Sequence, residues 1–171
     1  MKDDTPKYRV YDLEDGKSRR ALRDCLGNFA TGVAVITTLG DEGRAVGLTV
    51  NSLTSLSLDP PLVLWCLDRQ SECTELFAPG HHFAVNILGA GQELLARRFS
   101  NEAKDRFKDV PVLDGAAGSP LIKGAVSILE CTVTAVEDGG DHLIIVGRVR
   151  RCHDHQGPAL MFHKGSFKAT D

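Results

Sequence analysis

The sequence RAVGLTVNSLTSLSLDPPLVLWCLDR, residues 44–69, contains the two strand patterns that decide the predicted fold. Val46, Leu48 and Val50 alternate with small and polar residues, which is typical of a half-buried β-strand. Residues 62–67, LVLWCL, form a continuous apolar run, and this predicts a strand that is buried on both faces. Two strands so close in sequence indicate a mainly antiparallel sheet.

Residues 52–57, between these two patterns, are rich in hydroxyl groups, and no charge precedes Asp59. We predict a loop here that ends at Asp59-Pro60-Pro61. Hydroxyl and backbone N–H groups bind anions without a salt bridge, so this loop suits a phosphate or the polar edge of a ring. An ordinary serine-rich turn explains the same residues, and this stretch alone does not separate the two interpretations.

The composition is typical of a globular chain that forms one domain. Of 171 residues, 42% are hydrophobic and 25% are charged, and the net charge is −3. This balance gives no basic field for nucleic acid, and no apolar run reaches the ~20 residues that cross a bilayer. We expect residues 18–171 to form the domain and residues 1–17 to be a mobile or loosely packed lead-in. Because the lead-in lacks an apolar signal core, we expect a cytoplasmic protein that binds neither nucleic acid nor membrane.

Apolar periodicity predicts short helices. A first helix has Ser18 as its N-cap and Gly32 as its stop. Its apolar face consists of Leu22, Cys25, Leu26 and Phe29. Two more short helices are predicted at residues 72–78 and 92–99.

Strand patterns outnumber helical ones. Besides the two strands within residues 44–69, we predict strands at residues 33–39, 83–88, 126–136, 142–149 and 159–162. Glycine-containing turns at residues 41–43 and 138–141 join neighbouring strands as hairpins. Seven or so strands with short helices predict a mainly β fold that closes, or nearly closes, into a barrel.

The cysteines and histidines predict no metal site. The five cysteines are Cys25, Cys66, Cys73, Cys131 and Cys152. Their odd number and wide spacing give neither a disulfide framework nor a zinc pair, so we expect most of them to be inert core residues. His153 and His155 lack a second ligand group at a fixed distance, and a solvated, mobile segment explains them.

An ordered set of short motifs runs through nearly the whole chain after residue 17. The most informative are NSLTSLSLDPP at residues 51–61 and GGDH at residues 139–142. The others are FATGV at 29–33, VIT at 35–37, GLTV at 47–50, FAVNIL at 83–88, RF at 98–99 and GP at 157–158. Together they resemble the flavin reductase family, small FMN-binding split β-barrels that supply reduced flavin to two-component monooxygenases.

The resemblance implies a homodimer whose flavin sites are completed at the subunit interface. It also implies FMN as the flavin, with FAD as the alternative, reduction by NADH or NADPH, and a separate flavin-dependent monooxygenase as the partner. Transferred position by position, the flavin site consists of Ala45, Val46, Gly47, Leu48, Thr49, Asn51, Ser52, Cys66, Leu67, Asp68, Arg98 and Phe99. The nicotinamide site consists of His142, Phe162, His163, Lys164 and Gly165.

Hydride transfer between two cofactors needs little acid–base chemistry from the protein, which agrees with a sequence that shows no catalytic triad or carboxylate pair. We expect backbone amides at Thr49 and residues 66–68 to pair with the flavin ring, and Ser52 and Arg98 to hold its phosphate. The charged residues 104–108 are interpreted as a solvated face, with a position beside the mouth of the active site as the alternative.

His142 has a structural and a functional interpretation. As a structural residue it follows a Gly-Gly-Asp turn, with its ring hydrogen-bonded to Asp141 or to the backbone. As a catalytic residue it borders the nicotinamide, and the resemblance favours this second role.

Three functions are compatible with the sequence. The first is an NAD(P)H:flavin oxidoreductase that releases reduced flavin. The second is a split barrel that keeps its flavin tightly bound and reduces another substrate. The third is a non-enzymatic flavin- or haem-binding module, which would have no need for the nicotinamide contact predicted at residues 139–142.

Overall fold

The predicted lead-in is only partly included in the structure. The computed structural model describes residues 8–14, 18–101 and 105–171. Residues 8–14 are exposed and contain no helix or strand. Residues 1–7 and 15–17 of the lead-in lie outside the described residues, so the domain boundary at residue 18 stays a prediction.

Twelve strands and two α-helices form the regular structure of the described residues, which confirms a mainly β fold with short helices. The helices are α1 (Arg19–Leu26) and α2 (Glu93–Phe99). The strands are β1 (Thr31–Gly32), β2 (Ala34–Leu39), β3 (Ala45–Val50), β4 (Thr54–Leu58), β5 (Pro61–Asp68), β6 (His82–Ile87), β7 (Val112–Asp114), β8 (Pro120–Ile122), β9 (Ser127–Gly139), β10 (His142–Asp154), β11 (Leu160–His163) and β12 (Ser166–Ala169). No helix in the described residues is long and apolar enough to span a membrane.

The main sheet is antiparallel, with the strand order β3-β2-β6-β9-β10-β5-β4. β3 and β4 are its opposite edges, yet residues 51–53 are the whole connection between them. A connection of this length spans at most about 14 Å. The two edges must therefore lie close together, so the sheet rolls into the predicted split barrel. We call the gap between the free edges of β3 and β4 the seam.

The barrel core is built around three aromatic rings. Trp65, Phe77 and Phe83 are buried and meet edge-to-face, with the Trp65 and Phe77 centroids 4.9 Å apart. The separate sheet β1-β11-β12 is attached to the barrel by a backbone hydrogen bond from Leu160 to Leu88 at 2.8 Å. The strands β1, β11 and β12 are thus tied to the rolled sheet.

The first helix is shorter than predicted. α1 ends at Leu26, and Gly27 and the residues after it turn the chain towards β1, where the predicted stop Gly32 lies. Ser18 makes no side-chain capping hydrogen bond, and Phe29 lies outside the helix with 76% of its surface exposed. α1 buries none of its own residues within the described chain.

The hydroxyl-rich segment is a strand rather than the predicted loop. Thr54–Leu58 forms β4, which pairs with β5 across a tight turn at Asp59-Pro60. Its sequence TSLSL alternates polar and apolar residues, which is a strand pattern despite the hydroxyl groups. β5 also differs from the prediction, because Val63, Trp65 and Leu67 are buried whereas the residues between them are half-buried.

The cysteines are less buried than predicted. Cys131 is buried, and this burial, together with the charge of Glu130, raises the pKa of its thiol to about 12. The exposed or half-buried cysteines are Cys25, Cys152, Cys66 and Cys73. The expectation of a core residue therefore holds for Cys131 and in part for Cys73, which packs against the barrel core.

The segment around His153, predicted to be mobile, belongs to β10 and holds a buried carboxylate. His153 Nε2 lies 2.8 Å from Glu130 Oε1, and the Ala116 N–H donates to Glu130 Oε2 at 2.6 Å. Burial raises the pKa of Glu130, but the hydrogen bonds with His153 and Ala116 and the charges of His153 and Arg151 outweigh burial, so this pKa lies below its ordinary value. Glu130 thus fastens the loop at Ala116 to the barrel.

We expect Glu130→Gln to lower the free energy of unfolding by about 1–3 kcal/mol at neutral pH, because the charge that strengthens both hydrogen bonds is lost. A carboxyl with a depressed folded-state pKa stabilises the protein above its unfolded-state pKa. That stabilisation is lost as the pH falls through the folded-state pKa, which lies below 4.5. Urea unfolding of the two proteins between pH 7 and pH 3 should therefore show a difference that shrinks towards acid. Glu137→Gln, at an exposed site on the same strand, is the control. A difference that stays constant across this range would contradict the assignment.

Candidate functional site

The free edge of β3 presents backbone groups to the seam. The Gly40 N–H donates to Arg44 O at 2.8 Å, and this fixes which residues of β3 face β2. Alternation along an antiparallel pair then directs the N–H and C=O groups of Ala45, Gly47 and Thr49 away from β2. These three predicted flavin residues therefore line the seam with backbone donors and acceptors.

The other predicted residues near β3 contribute less to this edge. By the same alternation, the backbone groups of Val46 and Leu48 pair with β2, and the Leu48 side chain packs against the barrel core. Asn51 follows β3 and is exposed at one end of the seam.

α2 covers the face of β3 that carries Gly47 and Thr49. Thr49 Oγ1 donates to Ala96 O at 2.8 Å. A Cβ atom at Gly47 would lie 2.6 Å from the Phe99 ring and 3.1 Å from the Phe107 ring, so this position requires glycine. The structure thus brings Gly47, Thr49 and Phe99 together. Because Phe99 is only 1% exposed, its ring supports the strand instead of lining the seam.

Ser52 joins the end of β5 to the seam. The Cys66 N–H donates to Ser52 Oγ at 2.9 Å, so this amide, predicted to pair with the flavin ring, already has an acceptor. Ser52 Oγ accepts that bond and also donates to Cys66 O, a longer hydrogen bond at 3.5 Å. Alternation directs the Asp68 N–H to the same side as that of Cys66 and the Leu67 N–H towards β10. Of Cys66, Leu67 and Asp68, Asp68 is thus the residue whose backbone N–H lies along the seam, past the end of β4.

His142 begins β10 directly opposite Asp68. Its Nδ1 lies 2.7 Å from Asp141 Oδ1, as the structural interpretation predicted. The hydrogen bond with His142, followed by the charges of His142 and Arg19, holds the pKa of Asp141 below its ordinary value. With Asp141 as acceptor, the assigned tautomer carries the proton on Nδ1 and leaves Nε2 for another group.

Arg69 fixes the turn that precedes His142, a role that the sequence analysis missed. Arg69 Nη2 lies 2.7 Å from Asp138 Oδ2, and Arg69 Nε donates to Gly140 O at 3.0 Å. The Arg69 backbone N–H donates to Asp141 O at 3.1 Å. Three bonds from one residue hold this turn against the end of β5, and no local sequence signal points to them.

The predicted nicotinamide residues after His142 form the tip of a hairpin. Lys164 and Gly165 both have positive φ angles, 50° and 76°, which is typical of the two-residue turn that joins β11 to the unpredicted strand β12. The Lys164 N–H donates to Gly27 O at 2.9 Å, and Phe162 pairs with Thr31. No hydrogen bond or ion pair in the described part of the chain joins His142 to residues 162–165.

The two arginines near the seam have different surroundings. Arg98 Nη1 donates to Lys108 O at 2.8 Å on the exposed side of α2. Arg106 Nη1 donates to Gly47 O at 2.9 Å, at the edge of β3. The interpretation of residues 104–108 as a solvated face is therefore wrong for Arg106, and Lys104 lies outside the described residues.

The arrangement at the seam fits a flat heterocycle that carries an anionic group. Backbone donors from β3 and β5, the Ser52 hydroxyl and the Arg106 guanidinium border one gap. Two shallow clefts elsewhere, one of about 270 Å³ beside His81 and one of about 420 Å³ beside His155, contain none of the predicted flavin or nicotinamide residues. In the described residues, no group of three or more His, Cys, Asp or Glu side chains is placed to hold a metal ion. The seam is therefore the candidate site.

The chain is similar to known proteins over most of its length. A family profile described as "Flavin reductase like domain" matches residues 26–171. The chain is 41% identical over 162 residues to "FMN reductase (NADH) SmoA" of Agrobacterium fabrum, covering 95% of this chain and 91% of that protein. It is 35% identical to "Flavin-dependent monooxygenase, reductase subunit HsaB" of Mycobacterium tuberculosis, covering 89% and 82%. The solved Streptomyces globisporus NADH:FAD oxidoreductase SgcE6, in complex with NAD and FAD fragments, superimposes with a TM-score of 0.87 at 38% identity, covering 96% and 98%.

We expect Gly47→Ala to separate α2 from β3, because the added methyl group would overlap the Phe99 ring. The free energy of unfolding should fall by about 1–3 kcal/mol, the usual cost of overpacking a core. Urea denaturation measures this change. Gly32→Ala is the matched control, since a Cβ there meets no atom within 4 Å and the residue is also in a strand. Equal stability of the two variants would show that the Phe99 ring does not limit the space at residue 47.

Proposed function

The chain belongs to the flavin reductase-like family, and from this premise we propose that it transfers hydride from a nicotinamide to flavin and supplies the reduced flavin to a separate monooxygenase. The main support for this proposal is that flavin residues predicted from separate segments of the sequence meet at the seam. β3, Ser52 and the end of β5 meet there although the sequence places them up to 23 residues apart, from Ala45 to Asp68. The HsaB relative, named as a reductase subunit of a monooxygenase, supports the partner.

We propose FMN as the flavin, with FAD as the alternative, and NADH as the reductant. Both SmoA and SgcE6 carry NADH in their names, whereas one names FMN and the other FAD. A cytoplasmic location remains our expectation from the sequence.

The bound flavin supplies the hydride-accepting ring, and the chain supplies binding and orientation. Along β3, the N–H groups of Ala45, Gly47 and Thr49 face the seam, where they can pair with the polar edge of the ring. The Ser52 hydroxyl donates to Cys66 O only at the long distance of 3.5 Å, so it can turn to donate to an anionic oxygen instead. His142 keeps Nε2 for the nicotinamide amide, because Asp141 engages its Nδ1.

We also propose a homodimer that completes each site. The described residues leave apolar side chains at the end of α1 uncovered: Leu26 on the helix and Phe29 just after it are 64% and 76% exposed. A second copy that covers these side chains would bring its own hairpin at residues 162–165 close to the interface, because Lys164 is hydrogen-bonded to Gly27 at the end of α1.

Purified apo-protein should oxidise NADH at a rate that saturates with added FMN or FAD. His142→Gln should raise the KM for NADH by roughly tenfold, the effect of losing one good hydrogen bond, with an unchanged flavin Kd. His81→Gln, which changes an exposed histidine away from the seam, is the control. Steady-state kinetics and flavin fluorescence titration measure the two constants.

Each alternative function has a distinct outcome in the same assay. A yellow protein whose NADH oxidation is not stimulated by free flavin would favour the tightly bound flavin. A bound chromophore without NADH oxidation would favour the binding module. Either result would reject a shuttling reductase.

We expect Leu26→Asp to convert the dimer into monomers, because a charge on the apolar face of α1 must be desolvated at the interface. Analytical ultracentrifugation measures the mass. Leu94→Asp, at a residue that is 83% exposed on α2, is the control and should leave the mass unchanged. A wild-type monomer would reject the homodimer. A Leu26→Asp protein that stays dimeric would show that α1 is not part of the interface.

A further inference from the structure

Arg106 places a positive charge at the edge of β3. Its Nη1 donates to Gly47 O at 2.9 Å, and this oxygen faces away from β2 into the seam. The guanidinium therefore lies along the free edge of the strand, beside the backbone groups proposed to bind the flavin ring.

The guanidinium has an unsatisfied side. Arg106 Nε is buried and has no hydrogen-bond partner within the described residues. No carboxylate in the described ranges forms an ion pair with Arg106. Because native proteins satisfy nearly all buried donors, an acceptor from outside the described residues is indicated. With Nη1 engaged by Gly47, the Nε–Nη2 edge remains, and this edge grips two oxygens of a phosphate.

The turn that carries Arg106 is anchored on α2. The Phe107 ring meets the Phe99 ring edge-to-face at 4.9 Å, and Arg98 Nη1 donates to Lys108 O at 2.8 Å. Arg98, which the sequence analysis assigned to the phosphate, thus holds the turn that presents Arg106. The position of the guanidinium is fixed from two sides, by the strand and by the helix.

We propose that Arg106 binds the phosphate of the flavin through Nε and Nη2, while Gly47 O holds its guanidinium at the seam. This inference rests on the proposed function and adds the residue that recognises the anionic end of the cofactor. It predicts that Arg106 distinguishes FMN from riboflavin, which has the same ring and no phosphate.

The test is equilibrium binding of FMN and of riboflavin to the apo-protein, followed by quenching of flavin fluorescence. Arg106→Gln should weaken FMN binding by about ten- to a hundredfold, as expected for hydrogen bonds between charged groups. Riboflavin binding should change by less than about threefold. Arg106→Lys keeps the positive charge but lacks the planar guanidinium. Its affinity for FMN should therefore lie between those of the wild-type protein and Arg106→Gln. Arg97→Gln is the control, because Arg97 lies on the same helix as Arg98 but pairs with Glu93.

The outcomes separate this inference from the proposed function. Equal losses for FMN and riboflavin would show that Arg106 supports the strand and does not bind phosphate. Unchanged FMN binding in both Arg106 variants would also overturn the inference. Wild-type protein that binds neither flavin would reject the proposed function itself, and the Arg106 assignment with it. If Arg106→Gln does not fold, the FMN-to-riboflavin ratio of Arg106→Lys decides the question.

Discussion

The short connection between β3 and β4 is the constraint on which the rest of the structure depends. Residues 51–53 join the two edges of a seven-stranded sheet, so the sheet cannot stay open. Rolling brings the free backbone groups of β3 and the end of β5 to one gap. Ser52 lies within the connection itself and holds the Cys66 amide at 2.9 Å. The connection that closes the sheet therefore also supplies a residue of the candidate site.

A seam made of free strand edges has a structural cost. Unpaired edges are templates for pairing with other chains, and soluble proteins cover or interrupt them. On β3, α2 covers one face and Arg106 occupies the Gly47 carbonyl. β4 is less protected, since Leu58 is 92% exposed. A bound heterocycle, or a second subunit, can cover part of this edge.

Local sequence predicted the clearest hairpin of the fold correctly. The Gly139-Gly140 turn and the long alternating strands around it predicted the β9–β10 hairpin, because turn chemistry and period act over a few residues. The strand β4 was missed because hydroxyl content was given more weight than alternation, and β12 because its turn residues Lys164 and Gly165 were assigned to a ligand.

Site residues that act through distant contacts were not predictable from one sequence. Arg69 reaches Asp138 across 69 residues, and Arg106 reaches Gly47 across 59. Neither arginine has a distinctive neighbour pattern, and each acquires its role only when rolling of the sheet brings the two segments together. By contrast, Gly47 is constrained by the rings of Phe99 and Phe107 around it, which are visible only after α2 has packed.

The composition of the seam agrees with a cofactor that binds and leaves. Main-chain donors orient a flat ring through several modest hydrogen bonds, each with a net value of about 0.5–1.5 kcal/mol because water competes for the same groups. A single guanidinium adds charge at one end without enclosing the ligand. Within the described residues no buried ion pair borders the seam, so these hydrogen bonds supply its hold on the ring. Modest bonds of this kind suit a reductase that passes its product to another enzyme.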